Sequence, residues 1–175
     1  MKREKLKKFI KGAIPYVLII IVVVLIRSFI ITPAVVSGDS MLPNLKNNNI
    51  VMLNKIDYKV NGLERFDIIV LDYHGEKLIK RVIGLPGEHI KYKDNILYIN
   101  NEPVNEPFKH AKTKDITLEA VGYITIPGDQ YFVVGDNREV SVDSRMIGLI
   151  DKKDILGKVS LRIFPINKFG KIKNN

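Results

Sequence analysis

The sequence predicts a mostly β domain of antiparallel strands that follows a single N-terminal membrane-spanning helix. Three observations point there: an apolar run over residues 12–31, eight short runs rich in β-branched residues after Pro33, and turn-forming residue pairs between those runs. The chain has 175 residues, of which 46% are apolar, a length and composition that suit one compact domain and exclude a disordered polyelectrolyte. It contains no Cys, so disulfide frameworks, thiolate metal sites and Cys nucleophiles are excluded.

The charge is uneven. Of a formal +9, the leader at residues 1–11 holds +5, through Lys2, Arg3, Lys5, Lys7, Lys8 and Lys11 against Glu4. A basic balance alone permits a nucleic-acid ligand, but a terminal tag beside an apolar run needs none. Residues 12–31, interrupted only by Arg27, span roughly 30 Å as helix, the thickness of a hydrocarbon core. Arg27 lies near the far end, where its stem can stay in the apolar zone while the guanidinium reaches the interface. Positive residues before the span keep the N-terminus cytoplasmic, so residues 32–175 are expected outside the membrane. A cleavable secretory signal shares this pattern, but the apolar stretch is long and no A-x-A triplet follows it. Thr32-Pro33 is expected to end the helix.

The strand candidates are 50–53, 66–73, 78–84, 88–92, 96–99, 123–126, 131–134 and 155–164. His74-Gly75, Asp94-Asn95 and Asn100-Asn101 carry two-residue hairpin chemistry, and Leu85-Pro86-Gly87 turns the chain sharply. Residues 144–155 can hold a helical turn or two. Residues 103–118, polar and lysine-rich, read as a long exposed loop.

With thiols absent, a nucleophile would be a hydroxyl beside a base. His74, His89 and His110 stand apart from any turn-borne Ser and Asp, no His pair has metal-ligand spacing, and Ser40 lacks the second Gly of a nucleophile elbow. Neither a Ser/His/Asp hydrolase nor a metal site is expected. Lys80 shares a strand face with Leu78 and Val82; if that face packs inward, desolvation lowers the amine's pKa and makes it a base. The magnitude decides, because at its ordinary pKa only about one lysine in 2,500 is neutral at pH 7. The other reading of Lys80 is an edge residue that snorkels to solvent. Lys158 is the weaker case and reads as structural. Residues 135–145 hold five charges and two hydroxyls, read either as a solvated turn or as a hydrogen-bonded platform that orients a neighbouring lysine.

Three segments together resemble the type I (leader) signal peptidases, membrane-bound Ser/Lys proteases, in the short single-span form of Gram-positive organisms. They are Ser37-Gly38-Asp39-Ser40-Met41-Leu42-Pro43-Asn44-Leu45, then Lys80-Arg81-Val82-Ile83-Gly84-Leu85-Pro86-Gly87-Glu88, then residues 135–145 from Gly135 to Arg145. The resemblance implies a coiled, mostly antiparallel β fold, Ser40 as nucleophile, Lys80 as general base, Ser141 as the hydroxyl that orients the lysine, and Asp143–Arg145 and Arg81–Asp136 as supporting ion pairs. Gly38, Met41 and Pro43 shape the turn, and the Ser40 N–H is the oxyanion donor. Gly38 stands where Gram-negative relatives place a second, hydroxyl donor, and Asn44 where the family most often has Thr. No cofactor or metal is implied. The implied partners are preprotein signal peptides with small residues one and three before the cut, the lipid bilayer and the secretion translocon, with no nucleic acid. Val35, Val36 and Ile83 are candidates for the pockets. A self-cleaving Ser/Lys protease of the repressor type shares the dyad, though the span argues against a DNA-linked role. A membrane-anchored binding or assembly protein, with Ser40 and Lys80 structural, is the non-enzymatic alternative.

Overall fold

The structure, a computed structural model, describes residues 2–172, with side chains for 11–25 and 30–172. The side chains of residues 1–10, which hold most of the basic leader, and of Arg27 lie outside the described set. Helix α1 runs through leader and apolar run alike, Lys2–Phe29, with Pro15 inside it. Among the described residues no helix is long and apolar enough to cross a membrane. The side chains described for α1 cover residues 11–25, about 22 Å of helix against a core of roughly 30 Å. The large apolar residues from Ile14 to Leu25 are 47–70% exposed, so no face of this stretch packs on the protein.

The helix stops earlier than Thr32-Pro33. Strand β1, Ile31–Val35, begins two residues after Phe29 and pairs antiparallel with β2, Ile50–Asn54. β-Branched Ile31, Thr32 and Val35 favour the extended chain, and Pro33 is tolerated because β1 lies at the sheet's end, where a missing N–H costs no ladder bond. The larger sheet has seven strands in the order β1-β2-β11-β3-β4-β9-β10, with β3 at Ile68–Tyr73, β4 at Glu76–Gly84, β9 at Gln130–Val134, β10 at Ile150–Asp151 and β11 at Ile155–Phe164. The smaller sheet, β7-β6-β5-β8, contains β5 Ile90–Lys93, β6 Ile96–Ile99, β7 Glu102–Val104 and β8 Ile116–Thr117. All pairings are antiparallel.

The three two-residue turns form where the dipeptides stand, closing Tyr73 on Glu76, Lys93 on Ile96 and Ile99 on Glu102. Every central residue has positive φ, from 51° at Asp94 and Asn100 to 88° at Gly75, as turns matched to strand twist require. Residues 123–126 are not a strand; Ile126 is buried and exchanges backbone bonds with Gly87 and Glu88 instead. Residues 103–118 are not an exposed loop. They include parts of β7 and β8, and they bury Phe108, Thr113 and Leu118 against the body of the protein. The helical turns expected over 144–155 are α3, Ser144–Ile147, and a 3-10 turn at Lys152–Asp154, separated at Gly148 with φ 83°. A short helix α2, Asp57–Asn61, follows β2.

Candidate active site

Ser40 sits on a turn anchored in the core on both sides. Val36, Met41 and Leu45 belong to one buried cluster, each at most 2% exposed, so the chain enters and leaves the turn fixed. Gly38 adopts φ 81°, the left-handed region that a residue with a Cβ enters at a cost, and its N–H donates to Asn47 Oδ1 at 3.1 Å. The Leu42 N–H donates to the Asp39 carbonyl and the Leu45 N–H to the Met41 carbonyl, which tightens the turn behind Ser40. Met41 thus shapes the turn from inside, whereas Pro43 is exposed. The Ser40 carbonyl accepts the Asn137 N–H at 2.9 Å and the Asp39 carbonyl accepts Asn137 Nδ2 at 3.2 Å. Ser40 itself is half-buried.

Lys80 lies in β4, opposite Ile69 of β3, and is 2% exposed. The inward orientation follows from strand alternation, but β4 is covered on both faces from Ile79 onward, so Arg81 is buried too. Loss of water pushes the Lys80 amine below its ordinary value; Asp143 and Asp136 act against this and Arg145 acts with it. Lys80 forms no ion pair or hydrogen bond with another described residue. Lys158, by contrast, stays charged among carboxylates, 2.8 Å from Asp67 and 3.7 Å from Asp57.

Residues 135–145 form the hydrogen-bonded platform rather than the solvated turn. Asp143, fully buried, accepts the Gly135 N–H at 3.0 Å and both Arg145 Nε and Nη2 at 2.8 Å. Asp136 accepts Arg81 Nε at 2.8 Å and Nη2 at 2.7 Å, with both side chains fully buried. Such paired, bidentate bonds offset the cost of taking charges out of water. Ser141 is 4% exposed and its Oγ has no hydrogen-bond partner, so the bond to lysine implied by the resemblance is unmade here. Two members carried no role in the sequence reading. Arg138 donates to Gly135 O at 3.0 Å, Thr113 Oγ1 at 2.5 Å, Tyr92 OH at 3.1 Å and Glu106 Oε1 at 2.5 Å, and Ser144 Oγ accepts the Val133 N–H at 2.9 Å. Arg138 stood in the motif, but Glu106 and Thr113 lie in the segment read as an exposed loop.

Gly135 shows how closely these pieces meet. A Cβ there would collide with Ser141 Oγ and lie 2.5 Å from the Ser40 carbonyl oxygen. Gly135→Ala is therefore expected to shift both, lowering kcat/KM about 100-fold and destabilising the fold by about 1–3 kcal/mol; a steady-state assay and a thermal melt check this.

Beside this constellation runs a groove of about 650 Å³ whose lining includes Ala34, Val35 and Ser37 with Leu53, Val70 and Ile79. Residues 32–35 of β1, at the end of the sheet, and Lys77 and Ile79 from the half of β4 that lies outside the β4–β9 register contribute to its lining, together with residues of β2, β3 and β11. Of the three pocket candidates only Val35 lines it; Val36 and Ile83 are buried in separate core clusters. His89 pairs with Glu119 at 3.0 Å, His110 lies 3.4 Å from Glu106, and His74 occupies a hairpin tip, so each ring is engaged or placed away from a bond to Ser40. Among the described residues no group of three or more His, Asp or Glu is placed to hold a metal.

Known proteins resemble this chain along most of its length. The family model for signal peptidase, peptidase S26, matches residues 7–164. Signal peptidase IB of Staphylococcus aureus is 40% identical over 186 residues, covering 97% of this chain and 94% of the relative. Signal peptidase I of Bacillus caldolyticus is 40% identical over 168 residues, covering 89% and 91%. A crystal structure of a signal peptidase I from Enterococcus faecalis superposes with a TM-score of 0.51 at 38% identity, covering 55% of this chain and 95% of that one. With a match that extends from α1 to the end of β11, the chain belongs to the signal peptidase I family, peptidase S26.

Proposed function

We propose that the chain is a serine endopeptidase that removes N-terminal signal peptides from exported preproteins, with Ser40 as nucleophile and neutral Lys80 as general base. The observation that carries the dyad is the Lys80 side chain, 2% exposed and with its amine pushed below the ordinary value by loss of water, on the strand next to the platform that holds Ser40's turn. Lys80 Nζ takes the Ser40 Oγ proton as the oxygen attacks the scissile carbonyl. The C–N bond then breaks, and Lys80 returns the proton to the leaving amine. Water, deprotonated by Lys80, hydrolyses the acyl-enzyme. The developing oxyanion is served by the Ser40 backbone N–H; Gly38 offers no hydroxyl as a second donor. Ser141 Oγ is read as the hydroxyl that bonds the lysine once substrate is bound, a reading supported by its being buried with no other partner.

An extended signal peptide would enter between β1 and the free half of β4 as an added strand, its small residues seated in the apolar groove. Ala34→Phe should fill that groove and raise KM about tenfold with kcat little changed, measured on a peptide spanning the cut. The exposed apolar flank of α1, behind a basic leader, supports an anchor in the bilayer with the N-terminus cytoplasmic and residues 32–175 outside. Lipid and the secretion translocon are then its neighbours, and confinement to one surface raises the effective concentration of substrate. The test is direct: the full chain in detergent should cut a model preprotein after an A-x-A-like site. An intact preprotein after prolonged incubation would refute it.

A further inference from the structure

Asn44 lies four residues after Ser40 on the same turn, and both N–H bonds of its carboxamide are used. Nδ2 donates to Asp136 Oδ2 at 2.7 Å and to the Lys109 carbonyl at 2.7 Å, while the Asn44 backbone carbonyl accepts Arg162 Nη1 at 2.9 Å. Asp136 is the buried partner of Arg81, and Arg81 follows Lys80 in β4. Lys109 follows Phe108, whose ring lies 3.9 Å from the Arg81 guanidinium carbon, and the nearby Ala111 N–H donates to the Asp136 carbonyl. One side chain of the nucleophile's turn therefore reaches the acid that grips the base-bearing strand and the segment that covers that acid.

We propose that Asn44 is a positioning residue for the Ser40/Lys80 pair, its carboxamide locking the turn that carries Ser40 to the Asp136–Arg81 pair and so to the strand that carries Lys80. This rests on the dyad proposed above. The Asp136 bond is charge-assisted, hence the stronger of the two. Deleting the amide leaves Arg81 and Asp136 bidentate, so the ion pair persists and the slack appears in the turn. There Ser40 keeps its backbone bond to Asn137 and the Asn44 carbonyl keeps Arg162, but the stretch behind Ser40 loses the ties to Asp136 and Lys109 that the carboxamide made. A displacement near 1 Å at a reacting oxygen costs on the order of 100-fold in rate, whereas substrate contacts in the groove between β1 and β4 are untouched.

The experiment uses the full chain and a preprotein-derived peptide, with active-site titration to count folded, competent molecules. Asn44→Ala should lower kcat per competent molecule about 10- to 100-fold while KM stays within about threefold. Asn44→Thr keeps one donor for Asp136 and should recover kcat to within about fivefold of the parent. Asn44→Asp keeps the shape but offers no donor and faces a carboxylate, so its kcat should be no higher than that of the Ala variant. An Ala variant within twofold of the parent, or an Asp variant that matches the parent, overturns the proposal. Should Asn44→Ala not fold, the ordering of Thr above Asp decides it, and equal kcat in those two overturns it. Ser40→Ala, run alongside, keeps the two ideas apart: cutting by that variant refutes the dyad, whereas its silence with unaffected Asn44 variants refutes only the positioning role.

Discussion

Replacing Ser40 or Lys80 by alanine should each lower kcat on a preprotein by at least about 10^4-fold, with the circular dichroism unchanged for Ser40→Ala. The two losses should not add, because nucleophile and base act in one step: the double variant is expected to be no slower than the worse single one. The side chains differ in what their removal does to the fold. Ser40 is half-buried on a turn held by Val36, Met41 and Leu45, so losing its hydroxyl disturbs no packing. Lys80 is enclosed, and alanine there opens a cavity as well as removing the base. Lys80→Met, which fills the same space without an amine, separates these effects and should be equally inactive. Cutting by Ser40→Ala or by Lys80→Met would end the Ser/Lys reading.

Activity should rise with pH through the deprotonation of Lys80, at a midpoint below lysine's ordinary 10.5, and fall about tenfold for each unit below that midpoint. The cause is loss of water at the amine, which outweighs the nearby carboxylates of Asp143 and Asp136. The same shift makes a stability statement of definite sign. Between the lowered folded value and 10.5 the unfolded chain holds the proton and the folded chain does not, so folding stability rises with pH across that window. Below it, the full cost of burying a lysine is present. Lys80→Met should therefore melt at a higher temperature than the parent at neutral pH, and the gap should close as pH approaches 10.5. A rate midpoint at or above 10.5, or a Met variant less stable at neutral pH, contradicts the account.

Local chemistry made much of this fold legible. Pairs such as Asp94-Asn95 and Asn100-Asn101 tolerate the positive φ that two-residue turns demand, and each turn formed where its pair stood. Alternation put Lys80 on one face with Leu78 and Val82 but left open whether that face packs inward; coverage of both faces of β4 from Ile79 onward decides it. The misreadings share one origin, contacts distant in sequence. The lysines of residues 103–118 disguise a segment held down by Arg138, Asp136 and Asn44, through Glu106, Thr113, Ala111 and Lys109. No periodicity within that segment announces partners that come from the turn and the platform. Likewise, β1 is short and contains a proline, and only its place at the sheet's margin explains why it is a strand.

Because Phe29 ends α1 and Ile31 starts β1, there is no slack between the helix and the groove wall. Eleven positions separate Phe29 from Ser40, a reach of at most about 40 Å when fully stretched. Whatever surface grips the helix thus sets the height at which peptide bonds are severed. A precursor whose vulnerable bond emerges well beyond that height would be spared however well its side chains suited the enzyme, so lengthening the junction by a few glycines should change which precursors are processed.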